Sequence, residues 1–194
     1  MDMVDRLNAM GKYDRHNYDA MVSGELYTAS DPLLHELTLR AQRLAMEFNT
    51  NYSLDPDNAQ DLVCHLLGSV GEDTHVRAPM QVDYGIHIHI GKRTFVNFNL
   101  MALDVCSIHI GDDCQIGPNV QLLTPTHPID PQKRLQKLEA GEPIVIEDNV
   151  WLGGGVIVCP GVRIGKNSVI GAGSVVTKDI PANSVALGNP ARVV

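Results

Sequence analysis

Residues 144–180 read IVIEDNVWLGGGVIVCPGVRIGKNSVIGAGSVVTKDI, and an aliphatic residue recurs at every sixth position: Ile146, Leu152, Val158, Ile164, Ile170 and Val176. The same spacing is already present at Ile110 and Ile116. Four positions after each of these comes a second, small or β-branched set: Cys114, Val120, Val150, Val156, Val162, Ser168, Ser174 and Ile180. Three positions after each stand Asp113, Asn119, Asn149, Gly155, Gly161, Asn167, Gly173 and Asp179, every one Gly, Asn or Asp. These residue types tolerate a positive φ, where other L-residues lose roughly 1–2 kcal/mol. A tight corner once per six residues is incompatible with a helix. It fits short flat strands joined into three-sided coils that stack in parallel through their backbone ladders, with two inward positions per hexad.

Upstream, a weaker copy runs through Ile90, Val96 and Ala102, out of phase with Ile110 by two residues. A bulge or short loop near Leu103–Cys106 would absorb the slip. Between Leu122 and Ile144 the pattern gives way to TPTHPIDPQKRLQKLEAGEP, rich in Pro and charge. That stretch reads as a loop ejected from one coil, and long ejected loops commonly carry function. Near the N-terminus, Asp31-Pro32 opens an amphipathic pattern of Leu33, Leu34, Leu37, Ala41, Leu44, Ala45 and Phe48. Asp55-Pro56 opens a second with Leu62, Val63, Leu66, Leu67 and Val70, stopped at Gly71. Both read as capped helices that cover the open end of the solenoid. The expected organisation is a polar extension over 1–20, a helical cap over 21–72, and a β-helix over 73–194 with its loop at about 123–145.

Bulk composition narrows the function. With 44% apolar and 20% charged residues among 194, the chain reads as one ordinary globular domain, without a signal-peptide pattern or a bilayer-length apolar run. A cytoplasmic protein without a membrane partner is expected. The formal charge of −8 disfavours nucleic acid. Cys64, Cys106, Cys114 and Cys159 form no C-x-x-C pair, so free thiols are expected instead of a disulfide or zinc framework. Among the eight histidines, His127 alone sits in the loop that interrupts the repeat. By itself it reads equally as a base or as a turn residue.

The chain resembles the maltose and galactoside O-acetyltransferases, bacterial sugar acetyltransferases of the hexapeptide-repeat superfamily. The resemblance rests on GELYTASDP, RLAMEFN, VDYGIHIHIG, NFNLMALDVCSIHIGDDCQIGPNV, TPTHPIDP, NVWLGGGVIVCPGVRIG, VIGAGSVVTKDIP and GNPARVV. The LDV and PIDP segments are closer to the maltose type. It implies a left-handed parallel β-helix, a homotrimer with active sites between subunits, and acetyl-CoA as co-substrate without a metal. It further implies His127 as general base, with Asn97 beside it in the reacting centre. Asp83, Asn97 and Asp31 would meet the sugar acceptor. Trp151, Gly154, Ala172, Thr177, Lys178 and Arg192 would meet the cofactor. The sequence ends at Val194, where relatives carry further basic residues, which bears on how many cations meet the CoA phosphates.

Chemically, acyl transfer from a thioester to an alcohol needs a base for the hydroxyl proton and a donor for the oxyanion. A neutral imidazole suits the first role and a carboxamide such as that of Asn97 the second. Each assignment has a plainer counterpart. Asp31 is already explained as a helix cap, Asp83 as a turn residue, Asn97 as a corner residue and Trp151 as surface packing. Competing readings change the acceptor to an antibiotic, an oligosaccharide or an amine, or make the protein a non-enzymatic scaffold. Another gathers His87, His89 and His109, read as outward-facing, around a metal as in γ-class carbonic anhydrases. An acetyl-cysteine route is set against direct attack, and the inward register of Cys114 favours direct attack.

Overall fold

The computed structural model describes Val4 and residues 13–194. Residues 1–3 and 5–12, part of the expected polar extension, lie outside the described residues. The N-terminal region holds α1 (His16–Ser23), α2 (Pro32–Asn51) and α3 (Pro56–Leu66). Asp31 caps α2 as expected, its Oδ1 accepting from the backbone N–H of Leu33 at 2.8 Å and of Leu34 at 3.2 Å. Such a cap stabilises a helix by about 1 kcal/mol. Ala41, Ala45 and Phe48 of α2 and Ala59, Val63 and Leu66 of α3 share one core with Val76, Ala78 and Met80 of the first coil. This closes the lower end of the solenoid. A separate core joins Tyr18 and Met21 of α1 to Leu33, Leu34, Tyr27, Tyr84 and Val105.

Three columns of parallel strands form the prism. The first face stacks Ser69–Val70, Ile88–Ile90, Ile108–Ile110, Ile144–Ile146 and Arg163–Ile164. The second stacks His75–Val76, Phe95–Val96, Gln115–Ile116, Trp151–Leu152, Val169–Ile170 and Val185–Gly188. The third stacks Met80–Val82, Leu100–Leu103, Gln121–Leu123, Ile157–Val158 and Val175–Val176. Both inward sets predicted from the hexads are buried, from Cys114 and Ile116 to Ser174 and Val176. Ser168 and Ser174 are tolerated there because their hydroxyls donate to the carbonyls of Pro181 and Gly171.

The corners explain the phase of the sequence. At the first corner positive φ falls on Asp73, Arg93, Asp113, Asn149, Asn167 and Asn183, and at the second on Asn99, Asn119, Gly155 and Gly173. Asn149, Asn167 and Asn183 link their side-chain amides up the first corner at 3.0 and 2.9 Å. The third corner is irregular. Ile110 stacks on Ile90, 20 residues on, so the expected slip at Leu103–Cys106 is present and recurs one coil earlier at Asp83–His87. Ile144 stacks on Ile108, 36 residues on; the excess over an 18-residue coil is the ejected loop. Later coils keep 18 residues, as in Val145 on Arg163. Two expectations fail at the top: Ile180 stacks on Ile164, only 16 residues on, and Asp179 has no positive φ. The third corner is cut short there, and the Asp179 carboxylate accepts the Arg163 N–H at 2.8 Å.

Candidate functional site

All the extra residues leave the prism at the third corner. The loop folds into a flap in which Leu138–Gly141 pairs antiparallel with Tyr27–Thr28 on one side and Pro125–Thr126 on the other. A short helix, α4 (Pro131–Leu135), capped by Asp130, completes it. Pro125 faces Gly141 and Thr126 faces Ala140 in this register, and His127 follows directly where the pairing ends. Glu139 is held by the Tyr27 hydroxyl, which donates to its Oε2 at 3.0 Å. His127 is exposed and opens on a cavity of about 370 Å³, lined also by Leu26, Thr126, Pro128, Lys133 and Ala140.

Beneath the flap sits a buried acid that the sequence reading passed over. Asp104 is fully enclosed and accepts the backbone N–H groups of Asp83 at 3.2 Å, Tyr84 at 2.9 Å and His87 at 3.2 Å. One coil's bulge is thus pinned by the acid of the next. Burial pushes the Asp104 carboxyl up against the opposing effect of these hydrogen bonds. Asp83 is pushed up to about 6 by burial, then by the charges of Asp104 and Glu139. Burial first also raises the Tyr27 and Tyr84 phenols above their ordinary range, followed for Tyr27 by the neighbouring Tyr84 and for Tyr84 by Asp83. His87, expected to be outward and incidental, is buried. Its Nδ1 lies 2.6 Å from the Asp104 carbonyl and its Nε2 3.1 Å from the Tyr18 hydroxyl, because α1 covers it. His89 stacks on His109 with ring centroids 4.8 Å apart. Among the described residues, no group of three or more His, Cys, Asp or Glu converges for a metal.

The second corner is built differently. Asn97 is followed up its column by Gly117, and Gly117 by Gly153, through the N–H bonds of Asn97 to Ile116 O and of Gly117 to Leu152 O. A Cβ at Gly117 would lie 2.7 Å from the Gly154 nitrogen, and one at Gly153 2.6 Å from the Ala172 nitrogen. The column is therefore bare backbone above Asn97, flanked by Gly154 and Ala172, and Trp151 stands on the adjoining face, 56% exposed. Asn97 turns its Oδ1 to the Phe98 N–H at 2.8 Å.

The structure therefore gathers the predicted residues into separate groups. Asp83 lies at the third corner, where the flap bearing His127 also leaves the prism. Asp31 sits at the start of α2, its Oδ2 taking a 3.2 Å bond from Asn17 Nδ2. Asn97, Gly154 and Ala172 share the second corner, with Trp151 on the face before it. Thr177 and Lys178 lie exposed at the upper third corner, and Arg192 lies in the terminal strand Ala191–Val193, which pairs antiparallel with Val185–Gly188. The two central groups occupy different corners of one prism.

The comparisons follow the same division of the chain. Residues 143–178 match a family model for the bacterial transferase hexapeptide, six repeats, and residues 20–71 match the maltose acetyltransferase hexapeptide capping motif. The galactoside O-acetyltransferase of Escherichia coli is 42% identical over 172 residues, 89% of this chain and 85% of that protein. The crystal structure of a maltose O-acetyltransferase from Clostridium difficile 630 superposes with a TM-score of 0.90 at 47% identity, covering 92% of this chain and 95% of the other. A galactoside acetyltransferase in complex with coenzyme A gives 0.89 at 40% identity, over 93% and 90%. The matches thus span both the capping helices and the stacked prism, in relatives that share two fifths or more of their residues. The chain belongs to the maltose and galactoside O-acetyltransferase family, left-handed β-helix enzymes that take acetyl-CoA as their acyl donor.

Proposed function

We propose that this acetyltransferase moves the acetyl group to a sugar hydroxyl by direct attack in a ternary complex, within a homotrimer whose active sites lie between subunits. The observation that carries the assembly is the separation of the two groups. The flap with His127 and the bare column above Asn97 stand at different corners, so one subunit's flap completes its neighbour's column. Apolar side chains left exposed on the flap and the second face support this, among them Ile129 at 95% and Trp151 at 56%. In such a crevice the backbone of Gly117, Gly153 and Gly154 approaches the pantetheine closely. Trp151 flanks it, and Thr177, Lys178 and Arg192 meet the nucleotide end. Asp83 and Asn97 orient the acceptor, with Asp31 at the rim.

His127 then takes the hydroxyl proton as the acceptor oxygen attacks the thioester carbonyl. The Asn97 carboxamide donates to the oxyanion, and the imidazolium returns the proton to the departing thiolate. Direct attack is favoured by the thiols. Cys114 is inside the coil with its Sγ donating to the Glu147 carbonyl, and burial raises its pKa. The test is thiol release from acetyl-CoA with methyl glucoside, methyl galactoside and maltose. His127→Ala should lower kcat by roughly 10²–10⁴-fold while sedimentation still shows a trimer. Undiminished turnover in that variant, or ping-pong kinetics, would overturn the mechanism.

A further inference from the structure

At the foot of the second corner one cation stands without a counter-ion. Arg77 occupies the position directly below Asn97, its N–H bonded to the Val96 carbonyl at 2.9 Å. Its guanidinium carbon sits over the Phe98 ring, 3.8 Å from the centroid, and 6.0 Å from that of Phe95. Phe95 is itself backed by His75, whose ring is parallel at 6.3 Å and bonded to the Tyr52 hydroxyl at 3.0 Å. Among the described residues the Arg77 guanidinium has no ion pair and no hydrogen bond. A guanidinium stacked on an aromatic face keeps its N–H edge free for in-plane, bidentate contact with a carboxylate or phosphate. The stacking also fixes the side chain in advance, so little rotamer entropy is lost on binding.

Position gives this edge a use. The bare column descends from Ala172 and Gly154 through Gly117 to Asn97. A thioester lying along it ends at Asn97, and an acceptor approaching from beyond ends over Arg77. We infer that Arg77 is a specificity residue for an acceptor sugar that carries an anionic group, a carboxylate or a phosphate ester, next to the hydroxyl that is acetylated. The inference rests on the acetyl-transfer reading above and adds the acceptor's charge.

Acetylation of methyl glucoside, methyl glucuronide and glucose 6-phosphate by the full-length trimer separates the two. The wild type should prefer at least one of the two anions, and which one names the group. Arg77→Gln should lose roughly ten- to a hundredfold in kcat/KM for that anion, chiefly through KM, with methyl glucoside changed by no more than about twofold. Arg77→Lys, which keeps the charge but not the two-pronged edge, should recover only a small part of the preference, and added salt should weaken it in the wild type. Equal losses on neutral and anionic acceptors would make Arg77 a mere brace for Phe98, and dissociation of the trimer in Arg77→Gln would assign it to an interface; either overturns the inference. So would a wild type indifferent to charge. Acetylation of none of the three sugars would instead count against the sugar-transfer reading itself.

Discussion

The second and third corners are made from the same repeat and reach function by opposite routes. At the second corner each coil turns in the same number of residues, so positions stack in register, and small residues leave a column of backbone with Asn97 and Arg77 at its foot. At the third, each of the lower coils carries extra residues. These extra residues enclose acids, phenols and a histidine that no six-residue turn has room to hold. One site is defined by side chains that are missing and the other by side chains that are crowded together. A regular solenoid supplies a surface, and breaks in its period supply chemistry.

If that contrast is right, the crowded corner should be the more fragile. Asp104→Ala would leave the N–H groups of Asp83, Tyr84 and His87 without their acceptor, an expected loss of about 4 kcal/mol in urea denaturation. Asp104→Asn, which keeps a side-chain carbonyl, should lose less than half of that. An Asp104→Ala protein as stable as the wild type would show that the bulges hold themselves.

Asp83 should reveal its crowding through pH. Burial pushes its folded pKa up to about 6, above the ordinary value of 3.8, so the folded state holds the proton more tightly than the unfolded one. The associated stability is present below about pH 4 and is lost as pH rises through about 6. Asp83→Asn should therefore be more stable than the wild type at pH 8 by up to about 3 kcal/mol, a gain that vanishes near pH 4. A gain that is flat with pH would show that the acid is not strained.

The bare corner should respond to added atoms instead. Gly153→Ala places a methyl 2.6 Å from backbone that cannot move aside, for an expected loss of about 2 kcal/mol. It should also raise the KM for acetyl-CoA. A normal KM with lowered stability would separate the column's packing from its use.

The difference between the corners also governs what the sequence made visible. Hexad phase, inward positions, corners and the ejected loop could be read from residue types because each coil repeats the same environment. The repeated IHIG at 88–91 and 108–111 even marks the 20-residue lower coils. Asp104 and Glu139 escaped notice because their partners lie in another coil or across the flap. Those contacts follow from register, which one sequence does not print. Arg77 was missed for a related reason: it is unremarkable until the 20-residue step puts it beneath Asn97 and beside Phe98. Asp179 was misjudged because the shortened last coil breaks the period on which its reading depended.

That last coil has a consequence of its own. A rod of stacked strands ends in unpaired amides that invite another rod to continue it, the hazard that turns repeats into fibres. Here the polypeptide doubles back at Gly188–Ala191 and lays an antiparallel strand along the final rung, while helices seal the opposite end. The rung most open to such continuation, the top of the second face, is thereby paired within the chain itself.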